Sequence, residues 1–477
     1  MTRFIGRKKE LESLKSVLKK QSSSLIVIRG RRRIGKSRLI AEFGSRMHTI
    51  FFAGLPPSPE TTIKSQREEF ARQMQRELQI PLPRSDDWGD LFWTLDNSLK
   101  KDRVIIVLDE ISWIGSKDPD FLGKLKNAWD LRFSKNPKLI LILCGSVSSW
   151  IEKNILSNTG FVGRISLDLI IREMPLSDCQ KFWKDQEGNI SHYEVFKILA
   201  VTGGVPRYLE EIISTQTAEE NIHRLCFRRE GILFNEFDRI FNDLFAKRNE
   251  IYSKILKFLA ERTATLSEIY KILEVQPSGA SVNYMKDLIQ AGFVTRNHLW
   301  SIKTGKVSNL SYFRLSDNYI RFYLKMILPN KNQISDSLFQ KRSITTLPSW
   351  SSIMGLQFEN LVLNNFLPLC NMLNIPLEEI QQKGPFFQRK TKIQQGCQID
   401  LLIQTYYNCI YICEIKFSKN HIPSSAIEEV KEKIKRLVIP KGYSIKPVLI
   451  HVNGVSPKID ESRFFAHIID FSQLFKS

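Results

Sequence analysis

The 477-residue chain carries a net charge of +20, with 42% hydrophobic and 25% charged residues, the composition of an ordinary folded protein of two to four domains. Seven cysteines without a CxxC pair argue against a disulfide framework or a zinc ribbon. No run approaches the roughly 18 apolar residues of a membrane span, and the basic N-terminus lacks a signal h-region, so we expect a cytoplasmic protein with no membrane partner.

The excess positive charge favours a polyanionic partner such as DNA or RNA. Residues 1–40 contain 13 lysines and arginines against 2 acids, so 11 of the 20 excess charges lie there. Part of that excess is expected to face nucleotide phosphates. A solvated basic face explains the same charge equally well.

The first third of the chain alternates helical and strand patterns up to about residue 175. A helix is predicted over 8–20. Strands are predicted over 24–29, 49–53, 103–108 and 138–144. This alternation predicts an α/β fold with a parallel sheet covered by helices.

A glycine-rich segment between the first strand and the next helix matches the phosphate-binding pattern GxxxxGKS/T. It consists of Gly30, Arg31, Arg32, Arg33, Ile34, Gly35, Lys36 and Ser37. Its backbone N–H groups are expected to wrap phosphates, with Lys36 reaching the β- and γ-phosphates and Ser37 binding Mg²⁺. The three successive arginines either screen phosphates or face a nucleic acid or an acidic partner.

The apolar strand predicted over 103–108 leads into two acids, Asp109 and Glu110, which is the Walker B arrangement. Asp109 is expected to hold Mg²⁺ through water, and Glu110 is expected to polarise the attacking water. Together the two motifs predict that the chain binds ATP with Mg²⁺ and hydrolyses it.

Two further segments resemble parts of known ATPases. Residues 4–11 resemble the GRxxEL box that precedes the P-loop in the STAND and Orc/Cdc6-like branches of AAA-related ATPases. Residues 203–209 resemble the GGxPxYL element of their helical lid. From residue 1 to about 475, the chain is similar to archaeal and bacterial ATPases with a C-terminal DUF234 domain, which implies an AAA-like P-loop NTPase core over 1–175.

That resemblance implies three more nucleotide-site residues. Ser146 matches the sensor-1 position, Arg164 a γ-phosphate arginine acting in cis or from a neighbouring copy, and Pro206 the lid contact with adenine. A helix N-cap would explain Ser146 equally well, and a surface salt bridge would explain Arg164.

The middle of the chain is predicted to be a helical lid over 176–245 and a winged helix over 246–328. The second prediction depends on three short amphipathic helices followed by a hairpin. The expected recognition helix, about 278–291, offers only Asn283 and Lys286 for base contacts, so a mechanical role is favoured over base reading.

A Ser/Pro/Asn-rich stretch at 329–350 is predicted to be a linker, and 351–477 a second α/β domain. Asp400 lies near the start of one predicted strand of that domain. Glu414 and Lys416 lie on the next strand and face the same side, because strand side chains alternate. Upstream, Glu359 lies on a predicted helix.

This order of residues resembles the PD-(D/E)xK nuclease core, a restriction-endonuclease-like α/β fold. The resemblance implies Mg²⁺ held by Glu359, Asp400 and Glu414, with Lys416 positioning or activating the attacking water. An edge hairpin with solvated charges would carry the same residues, and whether the domain cuts stays open.

Two metal–phosphate sites in one chain favour an ATP-controlled switch that acts on nucleic acid, with Mg²⁺-dependent cleavage as the sharper hypothesis. A nucleic-acid-binding ATPase without cleavage is a second reading. A signalling or scaffold ATPase, whose nucleotide state controls self-association or partner binding through an inactive nuclease-like domain, is a third.

Overall fold

The structure is a computed structural model that describes residues 3–99, 102–115, 117–146, 149–183, 190–245, 249–276, 279–339, 342–392 and 394–475. The chain divides into two compact units, Met1–Glu173 and Met174–Ser477. None of the helices in the described part of the chain has the length and apolar run that a bilayer crossing requires.

The first unit is built around a parallel β-sheet. Its strands are β1 (Ser24–Gly30), β2 (His48–Ala53), β3 (Val104–Asp109), β4 (Leu139–Gly145) and β5 (Ile165–Ile171). They are ordered β2-β3-β4-β1-β5 and pair in parallel. Buried central strands account for the continuous apolar runs in the sequence. The predicted α/β fold with a parallel sheet is confirmed.

Helices cover this sheet. They are α1 (Lys8–Val17), α2 (Lys36–Gly44), α3 (Ile63–Leu78), α4 (Trp88–Ser98), α5 (Ile111–Gly115), α6 (Phe121–Leu131) and α7 (Ser149–Ile151), with a 3₁₀ turn at Phe133–Lys135 and a π-turn at Glu152–Leu156. The first helix ends at Val17, short of the predicted residue 20, because the polar residues beyond Leu18 have no apolar side chain to bury.

The second unit contains two sheets. Its strands are β6 (Ala264–Thr265), β7 (Val294–Trp300), β8 (Val307–Leu315), β9 (Ile380–Gln388), β10 (Cys397–Thr405), β11 (Cys409–Ile415), β12 (Ser444–His451) and β13 (His467–Asp470). The smaller sheet has the order β6-β8-β7 and is antiparallel. The larger is mixed, with the order β13-β12-β11-β10-β9, antiparallel from β9 to β11 and parallel from β11 to β13.

The helices of the second unit surround these sheets. They are α8 (Leu176–Cys179), α9 (His192–Thr202), α10 (Pro206–Leu209), α11 (Ala218–Cys226), α12 (Glu236–Phe245), α13 (Asn249–Glu261), α14 (Leu266–Leu273), α15 (Gly279–Gln290), α16 (Asn318–Phe322), α17 (Lys331–Ser335), α18 (Trp350–Asn364), α19 (Phe366–Met372), α20 (Ser425–Arg436) and α21 (Pro457–Ser462). Short 3₁₀ or π segments lie at Gln180–Phe182, Tyr323–Ile327, Leu328–Asn330, Ile344–Thr346, Leu377–Glu379 and Phe471–Phe475.

The centre of the second unit is where α9 packs against α18. The rings of Phe196 and Phe358 meet edge to face with centroids 5.2 Å apart. The side chain of Phe471 contacts both of these rings. Segments predicted as lid and as C-terminal domain therefore share one core, and the finer division of this unit into domains stays a prediction.

The stretch at 329–350 differs from the predicted linker. It contains α17 and a 3₁₀ turn, and it buries the side chains of Ile334, Phe339 and Ile344. These apolar side chains, five residues apart, hold the stretch against the body of the unit and outweigh its polar composition. The hairpin on which the winged-helix prediction depends consists of β7 and β8.

Candidate functional site

The predicted phosphate-binding loop leaves β1 and enters α2. Arg33 and Gly35 have positive φ angles of 64° and 93°, the backbone conformations from which a concave nest of N–H groups is built. A Cβ atom on Gly30 would lie 2.7 Å from the carbonyl oxygen of Ile171. Glycine is therefore required where β1 ends beside β5.

The side chain of Lys36 is folded into this loop. Its Nζ lies 3.0 Å from the carbonyl oxygen of Gly30 and 3.3 Å from that of Arg31, and the residue is only 6% exposed. The two carbonyl oxygens satisfy hydrogen-bond donors of the ammonium. An anion entering the loop thus meets a positive charge that is already in place.

Ser37 and Asp109 meet at the carboxyl edge of the sheet. The Ser37 Oγ donates a hydrogen bond of 2.9 Å to Oδ2 of Asp109. A hydroxyl and a carboxylate at this spacing fit the hard oxygen ligands that Mg²⁺ prefers. The other carboxylate oxygen of Asp109 accepts from the backbone N–H of Glu110.

Glu110 has a left-handed backbone with φ of 50°, which is uncommon outside glycine. Its carbonyl oxygen accepts from the N–H of Trp113 at 2.8 Å, so the start of α5 helps to hold the strained turn. Such strain concentrates at functional sites. Beside it, burial and the charge of Asp109 raise the pKa of the Cys144 thiol, which stays neutral next to that carboxylate.

The GRxxEL box lies against the loop. Arg7 Nη2 donates to the carbonyl oxygen of Ile34 at 3.1 Å, and Nη1 pairs with Glu10 Oε1 at 3.0 Å. The Arg7 side chain is buried, so this contact is screened little by water. The role of Arg7 as a clamp on the loop was missed from the sequence, where the box entered only as a resemblance.

The remaining residues predicted to contact the nucleotide differ in burial and in their partners. Ser146 is buried directly after β4, and Pro206 is the first residue of α10 in the second unit. Arg164 forms a two-pronged ion pair with Asp130, with distances of 2.7 and 2.9 Å. This pairing lowers the pKa of Asp130 to about 2. Arg31 pairs with Glu173 at 2.9 Å.

The C-terminal candidates meet on neighbouring antiparallel strands. Asp400 on β10 accepts the N–H of Ile415 through Oδ2 at 3.0 Å. Glu414 on β11 is 3% exposed, and its Oε1 lies 3.0 Å from the Nζ of Lys416. Lys416 also pairs with Glu429 of α20 at 2.6 Å.

Lys433 of α20 is a member of this cluster that the sequence reasoning missed. Its Nζ forms ion pairs with Glu414 and, at 3.7 Å, with Oδ1 of Asp400. The sequence contained one signal for it: at helical spacing, Lys433 continues the buried stripe formed by Ala426 and Val430. A lysine on the buried stripe of a helix indicates a buried acid opposite it.

Glu359 lies on α18, near the charges of Asp400, Arg314 and Arg321. Burial, assisted by Asp400, raises the pKa of Glu359 to about 7 against the opposing effect of the two arginines. Three carboxylates fit Mg²⁺ by their chemistry. Within the described residues, however, no group of three or more His, Cys, Asp or Glu side chains is arranged to hold a metal ion.

A comparison with protein families gives a match for the N-terminal part of the chain. Residues 4–212 match an ATPase domain family found predominantly in Archaea. The match covers the P-loop, the Walker B strand and the GGVP segment, which is residues 203–206. ATP binding by this part of the chain follows from the match together with the loop geometry.

Individual proteins are similar to this chain at low sequence identity. An uncharacterized protein of Methanocaldococcus jannaschii is 25% identical over 400 residues, which is 84% of each chain. A Walker-type ATPase of Pyrococcus abyssi aligns with a TM-score of 0.51 and 16% identity, covering 68% of this chain and 96% of that chain. The ORC2 protein of Aeropyrum pernix, solved in ADPNP–ADP complexes, aligns with a TM-score of 0.41 and 15% identity over 71% of this chain and 96% of that chain.

Proposed function

We propose that this protein is an ATP-hydrolysing switch that acts on nucleic acid. The observation that supports it most is the 2.9 Å hydrogen bond between Ser37 and Asp109, which joins the hydroxyl of one phosphate-site motif to the carboxylate of the other. These are the side chains that hold the metal of Mg·ATP in P-loop enzymes. When bound there, Mg²⁺ neutralises phosphate oxygens.

The chain's own residues supply the remaining chemistry. The loop from Gly30 to Ser37 cradles the phosphates, and Lys36 exchanges its two carbonyl partners for phosphate oxygens. Glu110, held in its strained conformation, orients and polarises the attacking water. The buried Arg7 keeps the loop closed around the site.

Three further residues complete the proposal. Ser146 offers its hydroxyl to the γ-phosphate, and Pro206 packs against adenine. Arg164 exchanges Asp130 for a γ-phosphate oxygen, either within the chain or in a neighbouring copy, which makes self-association part of this hypothesis. The partly exposed pair with Asp130 supports a resting position from which Arg164 is recruited.

The ATPase proposal is tested by comparing wild type with Glu110→Gln. The amide keeps the shape of the side chain but cannot act as a base, so we expect ATP to bind as in wild type while turnover falls at least 100-fold. The exposed change Glu42→Gln, on α2 behind the loop, is the matched control and leaves turnover unchanged. If Glu110→Gln hydrolyses ATP at the wild-type rate, another residue is the base that activates the water.

Positive charge beside the C-terminal cluster supports a nucleic-acid partner. Arg389, Lys390 and Lys392 are exposed in the loop after β9, and Gln388 Nε2 joins this loop to the carbonyl oxygen of Arg436 at the end of α20. Binding to DNA or RNA oligonucleotides should weaken by ~10-fold or more between 50 and 200 mM salt, as counterion release predicts. If the affinity does not depend on salt, or if no binding is detected, the result favours a signalling or scaffold ATPase.

The winged-helix hairpin supports a mechanical role in this switch. Trp300 of β7 donates from Nε1 to Oε1 of Gln404 at 2.9 Å, and Gln404 Nε2 donates to the carbonyl oxygen of Ile302. Both bonds are buried, and they fasten the hairpin to the C-terminal end of β10. A hairpin attached in this way transmits movement to the strand that carries Asp400.

A second candidate function is phosphodiester cleavage at Glu359, Asp400, Glu414 and Lys416. It is favoured by the two acids on adjacent strands and by the ammonium of Lys416 beside Glu414. If Mg²⁺ is bound, the three carboxylates hold it and it supplies Lewis-acid charge. Lys416 positions the attacking water.

Cleavage is tested by incubating plasmid and oligonucleotides with Mg²⁺ or Mn²⁺. We expect cutting by wild type that disappears in Asp400→Ala/Glu414→Ala. Intact ATP turnover without any cutting by wild type would leave the nucleic-acid-binding switch and the scaffold ATPase as the remaining readings.

A further inference from the structure

The ammonium of Lys433 lies where two acids of the C-terminal cluster meet. It pairs with Oε2 of Glu414 and lies 3.7 Å from Oδ1 of Asp400. The Lys433 side chain is 27% exposed, whereas that of Glu414 is 4% exposed. A single positive charge from a helix thus bridges carboxylates from two adjacent strands.

The four carboxylate oxygens of this acid pair already have partners. Oδ2 of Asp400 accepts the backbone N–H of Ile415, and Oε1 of Glu414 is paired with Lys416. The remaining two oxygens face Lys433. A divalent cation and an ammonium ion cannot share these two oxygens, since each needs them at short range.

We propose that Lys433 is an internal counter-ion that keeps this acid pair closed to divalent metal. A divalent cation binds to Asp400 and Glu414 only when the ammonium of Lys433 withdraws. This inference rests on the proposed assignment of the two acids as metal ligands. It also accounts for the lack of a ready-made metal-holding group among the described residues.

The geometry gives the withdrawn ammonium a place to go. Glu429 lies one turn earlier on α20, four residues before Lys433, and its side chain is 48% exposed. Its Oε2 is paired with Lys416, so the withdrawn ammonium would share this carboxylate through Oε1. A glutamate four residues before a lysine is the favourable helical ion-pair spacing. The flexible four-carbon stem of Lys433 allows that exchange without movement of the helix.

The test is Mn²⁺ binding followed by electron paramagnetic resonance in the absence of nucleotide. Lys433→Gln removes the competing charge, so we expect the Mn²⁺ affinity of the C-terminal site to rise at least ~10-fold over wild type. Lys433→Arg, which keeps the charge, should bind Mn²⁺ as wild type does. Lys431→Gln, an exposed change on the same helix, is the matched control.

Adding Asp400→Asn/Glu414→Gln to Lys433→Gln identifies the site, because the gained Mn²⁺ binding should disappear. Equal Mn²⁺ affinity in wild type and Lys433→Gln overturns the counter-ion role. If Lys433→Gln is folded by circular dichroism but gains no Mn²⁺ binding that depends on the two acids, their assignment as metal ligands is overturned as well.

A measurement on wild type covers the case in which Lys433→Gln fails to fold. Lys433 should react slowly with an amine-labelling reagent in metal-free protein and faster as Mn²⁺ is raised, as read by peptide mass spectrometry. The exposed Lys431 should label at a constant rate. If the labelling rate of Lys433 does not change with Mn²⁺ concentration, the proposal is overturned.

Discussion

The side-chain amide of Gln357 donates to the carbonyl oxygen of Ala200 at 2.8 Å, which ties α18 to the last turn of α9. Gln357 is fully buried, and it also donates to the carbonyl oxygen of Asn318. It lies two residues before Glu359 on α18, while Ala200 lies just before the GGVP segment. The proposed lid and the C-terminal cluster are therefore joined by a direct polar contact within the second unit.

Replacing Gln357 by Ala should destabilise the protein by about 2 to 4 kcal/mol. The change leaves two buried carbonyl oxygens without their donor and opens a cavity at a fully buried position. Chemical denaturation checks the prediction, with the neighbouring exposed change Leu356→Ala as control. A loss below about 0.5 kcal/mol would mean that water replaces the amide.

Replacing Arg7 by Ala should weaken ATP binding ~10-fold and destabilise the protein by about 1 to 3 kcal/mol. The buried guanidinium holds both the carbonyl oxygen of Ile34 and the carboxylate of Glu10. Fluorescent-nucleotide titration gives the affinity, and Lys8→Ala, an exposed neighbour, is the control. Unchanged affinity would show that the loop keeps its shape without the clamp.

The raised pKa of Glu359, about 7 against an ordinary value near 4.5, makes stability depend on pH. Between these values the folded state retains a proton that the unfolded state has released, so stability falls as pH rises through this window. In metal-free buffer, Glu359→Gln should match wild type near pH 4.5 and exceed it by about 3 kcal/mol above pH 7. Glu378→Gln, exposed, should show no such trend. If the stabilities of wild type and Glu359→Gln change in parallel with pH, the raised pKa of Glu359 is contradicted.

Replacing Arg164 by Ala should lower the ATP turnover number at least ~10-fold while changing stability by less than about 1 kcal/mol. The proposal gives Arg164 a role at the γ-phosphate, whereas its partly exposed pair with Asp130 contributes little to stability. Asp130→Asn removes the pair but leaves the arginine, so it should retain turnover. If both variants retain turnover, the pair is a surface salt bridge and nothing more.

The N-terminal sheet was predictable because its signals are local. An apolar run before Gly30 and another before Asp109 fix two strands, and parallel strands bring their carboxyl ends to one edge. The contact between Ser37 and Asp109, 72 residues apart in sequence, then follows from strand order. Spacing within each motif was enough to name the residues.

The missed features depend on contacts between distant segments. The clamp from Arg7 to Ile34 spans 27 residues, with no motif linking the two. A salt bridge was one expectation for Arg164, but its partner Asp130, 34 residues away, could not be named from the sequence. Lys433 was detectable only by its place on the buried stripe of α20. The stretch at 329–350 was predicted to be a linker from its Ser, Pro and Asn content, but it contains spaced apolar residues such as Phe339, which is fully buried.

The most direct test of the central claim is nucleotide-dependent binding of nucleic acid, measured by fluorescence anisotropy with ATP, with ADP and without nucleotide. An ATP-controlled switch predicts a change of at least ~5-fold in wild-type affinity between ATP and ADP, and one affinity in all three conditions for Lys36→Ala. Wild-type affinity that ignores nucleotide, with ATP turnover intact, would contradict the account and leave a protein whose ATPase site and nucleic-acid surface act independently.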